Sequence, residues 1–360
     1  MAEDASERLI EANEEALRFY LAVFRTSAWS QDYLAERRLD RLTQTGQEWH
    51  IGYAPDSWSA LIDHLRHHRF TDEDILAAGL AVPTQRGYLI DRFRDRLMFP
   101  IRDLGARTLG FVGRAHTALP KYVNTRATTV FRKSELLYGL SEQRDALQAG
   151  AIPVFVEGPS DVLAIGSLVH DGPQRWAGLG LCGTTLTPRH LDAVREVSSS
   201  EMAMTAFDGD VGGRAANRRA FPLLLSRFAE VRATETPRGQ DPSSLYAAER
   251  GDEVLTGVLN WCRPLASLLI DDELRRWAKV LDHISGKINA VRAVAPIVAG
   301  LPRGQIAYEV ARLTRTLSLD HDLVTLELAE AVSATVSRDH SRRQGGSATG
   351  AVPPCDPPLI

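Results

Sequence analysis

The sequence predicts an α/β protein with three parts: a mixed α+β segment, a parallel doubly wound sheet, and a helical end. Three observations carry this. Between residues 151 and 236 short apolar runs alternate with amphipathic runs of helix length, the pattern of βαβ units. From residue 87 to 140 strand-like runs are interleaved with arginines and punctuated by Gly and Pro. Beyond Asp252 apolar residues recur at helical spacing without strand texture. The expected domains are 1–145, an α+β subdomain with a basic groove; 150–250, the parallel sheet; and 252–336, helical. Residues 337–360, polar and then Gly/Ser/Pro-rich, are expected to be a disordered tail.

Taken in order, Leu9, Ala12, Ala16, Leu17, Tyr20, Val23 and Phe24 mark a helix over 8–25, and 31–38 continues as a second. Residues 49–55 form a short strand into a turn. Residues 58–67 are amphipathic. Thr71 caps an acidic first turn, and Gly79 ends that helix. Strands are expected at 88–90, 97–101 and 108–114, then a polar loop over 120–125 and a helix capped by Ser141 that Gly150 ends. The alternating unit reads strand 152–157, helix 160–169, strand 176–181, helix 188–197, strand 201–208, helix 214–228, strand 230–235. The helical end comprises 255–262, 265–294, 305–316 and 323–332.

Composition narrows the function classes. Cys182, Cys262 and Cys355 are far apart and form no CxxC pair, so neither a zinc ribbon nor a disulfide framework is expected. The first residues are acidic and polar, and no apolar run approaches the roughly 18 residues of a membrane helix. A cytoplasmic protein without a membrane partner is the expectation. The net charge is −4, yet residues 86–133 hold eleven Lys or Arg against three acids, a local +8 that leaves −12 elsewhere. Such a basic surface on an acidic chain can track a phosphate backbone, although a salt-bridged solvated face has the same composition.

Two motifs are set aside. Gly178 to Gly183 matches GxGxxG, but it follows the second strand of the unit, and Thr187-Pro188 starts a helix too late to meet a pyrophosphate. His64, His67 and His68 share a helix face, a geometry that can hold zinc. No HExxH glutamate accompanies them, so they read as structural or surface residues.

The acidic set is sharper. Glu157 with Asp161, then Asp208-Gly209-Asp210, then Asp241, fall at carboxyl ends of predicted strands. Clustered carboxylates repel, and a divalent cation resolves the conflict, so a hard-oxygen pocket suited to Mg²⁺ is expected.

Glu157-Gly158-x-x-Asp161 after an apolar strand, followed about fifty residues on by Asp208-Gly209-Asp210, resembles the Toprim domain of primases, topoisomerases and some nucleases. The flanks narrow the resemblance: Trp49-His50-Ile51-Gly52-Tyr53-Ala54-Pro55, Arg92-Phe93-Arg94-Asp95-Arg96-Leu97-Met98-Phe99-Pro100-Ile101, Gly110-Phe111-Val112-Gly113-Arg114, Pro120-Lys121-Tyr122-Val123-Asn124-Thr125 and Leu137-Tyr138-Gly139-Leu140. In this order they resemble the catalytic core of bacterial DnaG-type DNA primases, over roughly residues 10–335.

The resemblance implies an enzyme that makes short RNA primers from NTPs on single-stranded DNA, with Mg²⁺ or Mn²⁺. A replicative helicase or a separate template-recognition protein would be its partner. Glu157 matches the essential glutamate; Asp208, Asp210 and Asp241 match metal aspartates, and Asp161 is counted with the metal set. Arg94, Arg96, Arg114, Lys121, Tyr122, Asn124 and Lys133 are the expected nucleic-acid and nucleotide contacts. The family's Cys/His zinc domain has no counterpart in these residues, and no zinc is expected. Ser243 stands where the family usually has a further aspartate, Thr125-Arg126-Ala127-Thr128 replaces Ser-Pro-Glu-Thr, and Glu48 stands where the family is often basic. A Toprim nuclease, or a weakened DNA-binding replication accessory protein, remains the alternative.

Overall fold

Alternation of side chains across two long strands organises the first part of the molecule, seen here in a computed structural model that describes residues 2–44, 49–169, 172–183 and 185–344. Helix α1 (Ala2–Phe24) leads to α2 (Ala28–Glu36), capped by Ser27, and α3 (Arg41–Gln44). Then come β1 (Gly52–Ala54), α4 (Ala60–His67) and α5 (Asp72–Ala77), the last carrying the Thr71/Asp74 capping box. β2 (Ala81–Pro83) and β3 (Leu89–Asp91) pair with each other. β4 (Arg96–Arg102), β5 (Thr108–Ala115) and β6 (Tyr122–Asn124) complete an antiparallel sheet of order β1-β4-β5-β6.

Successive residues of a strand face opposite sides of its sheet. Met98 and Phe111 accordingly join Leu9, Ala16 and Tyr20 of α1 in one core, with Leu61, Ile62 and Leu65 of α4. Leu97, Phe99, Ile101 and Val112 enter a second core, which they share with Val154, Val156 and Trp176 of the parallel sheet and with Val162 of the helix that follows Val156. The basic segment and the acidic segment are thus built on one continuous core.

After α6 (Arg144–Gln148) the chain alternates: β7 (Ile152–Val156), α7 (Pro159–Gly166), β8 (Trp176–Gly180), α8 (Pro188–Val197), β9 (Met202–Thr205), α9 (Val211–Leu225), β10 (Glu230–Ala233). α10 (Pro242–Ala247) and α11 (Gly251–Asn260) precede β11 (Arg263–Pro264). The sheet order is β11-β10-β9-β7-β8, with β10, β9, β7 and β8 parallel and β11 antiparallel at the edge.

The chain divides into two units, Met1–Leu265 and Ala266–Ile360. The second is helical: α12 (Leu265–Trp277), α13 (Ile284–Ala299), α14 (Arg303–Leu317) and α15 (His321–Gln344). Its buried acids are paired. Arg292 donates to Glu327 at 2.6 Å, and Glu309 accepts from Arg312 at 2.7 Å and from the Ser267 hydroxyl. Among the described residues no helix is long and apolar enough to cross a membrane.

The mixed α/β class follows the sequence expectation, and several boundaries differ. Residues 122–124 are an edge strand rather than a polar loop, because their backbone pairs with Val112–Arg114 of β5. The helix expected over 265–294 breaks after Trp277 into a 3-10 turn, Ala278–Val280, before α13. The expected disordered tail is helical through Gln344; its remainder, 345–360, lies outside the described residues, as does Glu48.

A Cβ at Gly213, in the first turn of α9, would lie 2.0 Å from the Asp208 carbonyl oxygen, whereas one at Gly257, inside α11, would meet nothing within 4 Å. Gly213→Ala is therefore expected to lower stability by about 2 kcal/mol or more, through forced movement of the Asp208 loop. Gly257→Ala is expected to raise it by about 0.5–1 kcal/mol. Denaturant midpoints of the two variants check both signs.

Candidate active site

β7 lies between β8 and β9, and the chain leaves it in one direction toward β8 while β9 continues in the other toward β10. The crevice at such a reversal, at the carboxyl ends of the strands, is where open α/β sheets hold ligands. Glu157 directly follows Val156 at the end of β7. Asp208 comes three residues after Thr205, the last residue of β9, so it sits on the loop rather than on the strand. The Asp208 N–H donates to Glu157 Oε1 at 3.4 Å, which ties the two loops together. Gly209 lets this loop run against its neighbour: a Cβ there would lie 2.4 Å from the Thr236 carbonyl oxygen.

The next two acids are helix caps. Asp210 is the N-cap of α9, with Oδ1 accepting the Gly213 N–H at 2.8 Å. Asp241 is the N-cap of α10, where it forms a capping box with Ser244. Capping engages one oxygen of each carboxylate and leaves the other available.

Electrostatics show that these groups converge. Burial, then Glu157, Asp241 and Asp210, push the Asp208 carboxyl up to about 7, against a lowering pull from Lys121. Glu157 is also raised, by burial first and then by Asp210 and Asp241, although the Asp208 N–H lowers it. Among the described residues no Lys, Arg or His forms an ion pair with Glu157, Asp208, Asp210 or Asp241. Carboxylates gathered without a protein cation form a hard-oxygen donor set that fits a divalent metal ion.

Asp161, expected among the metal acids, is placed differently. It is 5% exposed, Oδ2 accepts the Gly158 N–H at 3.1 Å, and Oδ1 accepts the Ser243 N–H at 3.1 Å. Both oxygens are committed to backbone amides that join the starts of α7 and α10. Burial, then the charges of Asp241 and Asp208, push this carboxyl up to about 8, while the two amides pull it down. Ser243 is buried too, and its hydroxyl has no hydrogen-bond partner.

The expected basic contacts divide into buried and open ones. Arg96 is buried, with Nη1 donating to the carbonyls of Gly113, Pro120 and Lys121, so it fixes the turn that carries Lys121. Arg114 lies over the Tyr33 ring at 4.1 Å, and its Nε has no partner. Lys121 is exposed, with Nζ 5.5 Å from the Tyr122 ring centroid. Arg94 lies 4.2 Å over Trp58, which is 64% exposed. Asn124 Nδ2 donates to the Cys182 carbonyl at 2.9 Å, joining β6 to the loop after β8. Lys133 is exposed, and its carbonyl pairs with His190 Nε2 at 2.9 Å.

Two contributors were not among the expected site residues. Tyr33 is stacked between Arg37 and Arg114, and its hydroxyl meets Ser160 Oγ, beside Asp161, at 2.9 Å. Arg92 donates from Nε to the Asn124 carbonyl at 2.9 Å. The i,i+4 spacing of Tyr33 and Arg37 was the available signal for the first; the second stood in the motif over residues 92–101, whose pattern did not reveal its partner.

An acid-bearing doubly wound sheet joined to an antiparallel basic domain defines the class: a Toprim protein with an N-terminal α+β partner domain. Residues 19–144 match the family model described as DNA primase catalytic core, N-terminal domain, and residues 154–246 match the Toprim-like model. A DNA primase of Streptomyces coelicolor is 32% identical over 313 residues, 84% of this chain and 47% of the relative. One from Deinococcus radiodurans is 35% identical over 253 residues, 70% of this chain and 42% of the relative. The RNA polymerase domain of Mycobacterium tuberculosis primase DnaG, solved with double-stranded DNA, superposes with a TM-score of 0.72 at 28% identity, covering 87% of this chain and 99% of that one. A DnaG primase catalytic domain bound to single-stranded DNA gives 0.71 at 26%, covering 89% and 99%. This chain belongs to the DnaG-type DNA primase family and carries its catalytic core. It spans about half the length of the curated relatives it matches.

The raised Asp208 carboxyl has a sign that can be checked. An unfolded Asp titrates near 4, so the folded metal-free protein holds an extra proton between about pH 4 and pH 7. Relative to Asp208→Asn, the wild type in EDTA is expected to lose stability as pH rises through that window, with no further loss above it. A saturating divalent cation should restore the wild type and leave Asp208→Asn unchanged. Thermal midpoints across a pH series measure both.

Proposed function

We propose that this chain is a primer-synthesising enzyme that joins NTPs into short RNA on a single-stranded DNA template. The observation that carries the reading is the convergence of Glu157, Asp208, Asp210 and Asp241 on one crevice within electrostatic reach of Lys121. Glu157, Asp208, Asp210 and Asp241 are the residues to hold Mg²⁺ or Mn²⁺. Such ions, when bound, acidify a primer 3′-hydroxyl and offset charge on the triphosphate.

The chain's own groups divide the remaining work. Asp161 positions the loops that carry Glu157 and Asp241 rather than touching an ion. Arg96 acts in the same way, holding the Lys121 turn from below. Lys121 and Lys133 face phosphates as point charges. Arg94 and Arg114 offer planar guanidinium groups, each lying over an aromatic ring that limits its freedom. Asn124 holds the edge strand against the Toprim loop, and Tyr122, packed beside Gly158, presents a ring next to Lys121. The related domains solved with single-stranded and double-stranded DNA support nucleic acid as the template. A replicative helicase or a template-recognition protein is the partner this reading calls for.

Incubation of the protein with NTPs, Mn²⁺ and a mixed-sequence single strand is expected to give metal-dependent RNA products. Glu157→Gln should reduce them by about 10³-fold or more. Cleavage of the template without NTPs, or a Glu157→Gln variant as active as wild type, would contradict the reading. DNA affinity should fall steeply with salt, and Lys121→Ala should flatten the log–log slope by about one unit. Fluorescence anisotropy in a salt series measures it.

A further inference from the structure

Glu15, His64 and His68 offer one ligand atom each, and these atoms lie within 4.8 Å of one another. Fifty residues of chain separate Glu15 from the histidines, and folding brings them together because α1 packs against α4. His64 lies in the last turn of α4 and His68 is its C-cap, an i,i+4 pair on one face. His64 Nε2 is 2.7 Å from Glu15 Oε1, and His68 Nε2 is 3.4 Å from the same oxygen. The two imidazole rings lie 4.5 Å apart between centroids, tilted by 37°. His67, which the sequence placed with them, contacts the His68 ring but does not reach Glu15 within ion-pair distance among the described residues.

We propose that Glu15, His64 and His68 form a Zn²⁺ site, separate from the carboxylate cluster of the Toprim domain. Two imidazole nitrogens and one carboxylate oxygen are a recognised zinc donor set that leaves a fourth position for water. In a tetrahedral site with bonds near 2.0–2.1 Å, ligand atoms stand about 3.3 Å apart; the 2.7 and 3.4 Å separations bracket that figure.

The surroundings support it. Glu15 is 7% exposed, so the carboxylate is fixed rather than free to swing away. Its two oxygens are divided: Oε1 faces the histidines, and Oε2 takes Arg18 Nε at 2.8 Å and Nη2 at 2.5 Å. A ligating carboxylate held on its far oxygen by a hydrogen-bond donor is the usual outer support of a metal site. A surface cleft of about 700 Å³ lies against Glu15 and His68, and its other charged lining residues are Glu7, Glu11, Glu14, Arg18 and Arg107, so carboxylates outnumber guanidinium groups. Its acidic wall favours approach of a cation. Bound zinc would clamp α1 to α4 and thereby brace the sheet on which α1 lies.

The test uses the full chain, stripped with EDTA and then held in excess Mg²⁺ to fill the carboxylate cluster. Co²⁺ is titrated as the spectroscopic probe and Zn²⁺ as the competitor. The expected result is one equivalent of Co²⁺ with the visible bands of a four-coordinate nitrogen/oxygen site, displaced by Zn²⁺. His64→Ala, His68→Ala and Glu15→Gln should each abolish the bands, whereas His67→Ala and Cys262→Ser should leave them intact. Circular dichroism verifies that each variant is folded, and His68, the most exposed ligand, is the substitution the fold tolerates best. A Zn²⁺-induced rise in the wild-type thermal midpoint that is lost in His68→Ala is the second readout. No Co²⁺ uptake by the wild type, bands that survive His64→Ala and His68→Ala, equal loss in His67→Ala, or a thiolate charge-transfer band removed by Cys262→Ser would each overturn the proposal.

Discussion

Mutual repulsion among carboxylates at one edge of a parallel sheet is the constraint around which this molecule is arranged. Glu157, Asp208, Asp210 and Asp241 are held close enough to raise the protonation point of two of them, and no protein cation is paired with them among the described residues. The fold tolerates this because the backbone does the gathering. Glycines at 209 and 213 admit contacts that a Cβ would block, and two helix N-termini absorb part of the charge of Asp210 and Asp241. A divalent cation in the crevice would relieve that repulsion, so the arrangement that disfavours the carboxylates on their own is one that suits a metal ion.

The basic side of the crevice follows a similar division between holding and presenting. Arg96 and Arg92 spend hydrogen bonds on backbone carbonyls, and those bonds shape the strands from which Lys121 and Asn124 project. The charge excess of residues 86–133 is therefore not a uniform surface. Part of it is internal bracing, Arg94 is half-buried, and Lys121 and Lys133 are open to solvent. Tyr33 links this side to the first turn of α7 through Ser160, with guanidinium groups of Arg37 and Arg114 over its ring.

Much of this was legible in the sequence. The alternating unit was readable because buried parallel strands are continuous apolar runs bounded by turn residues, and the acids that follow them interrupt those runs abruptly. Other features depended on distant partners. Nothing near Asp161 indicates that the amide of Ser243, 82 residues away, would occupy its second oxygen. The strand character of 122–124 comes from pairing with β5, not from its own composition. The three histidines read as a helical face without an HExxH glutamate, because Glu15 lies on a separate helix and reaches them only through tertiary packing. Local pattern located the acids, and the fold placed the amides of Gly158 and Ser243 on Asp161 alone.

The proposed reading requires Glu157, Asp208 and Asp210 to share a divalent cation and Asp161 to stay off it. Anomalous diffraction from crystals soaked in Mn²⁺ with a nucleotide triphosphate addresses it directly. The account predicts Mn²⁺ peaks within about 2.3 Å of oxygens of Glu157, Asp208 and Asp210, with both Asp161 oxygens still on the amides of Gly158 and Ser243. A peak coordinated by Asp161 with those amide bonds broken, or no peak at the crevice, would contradict it.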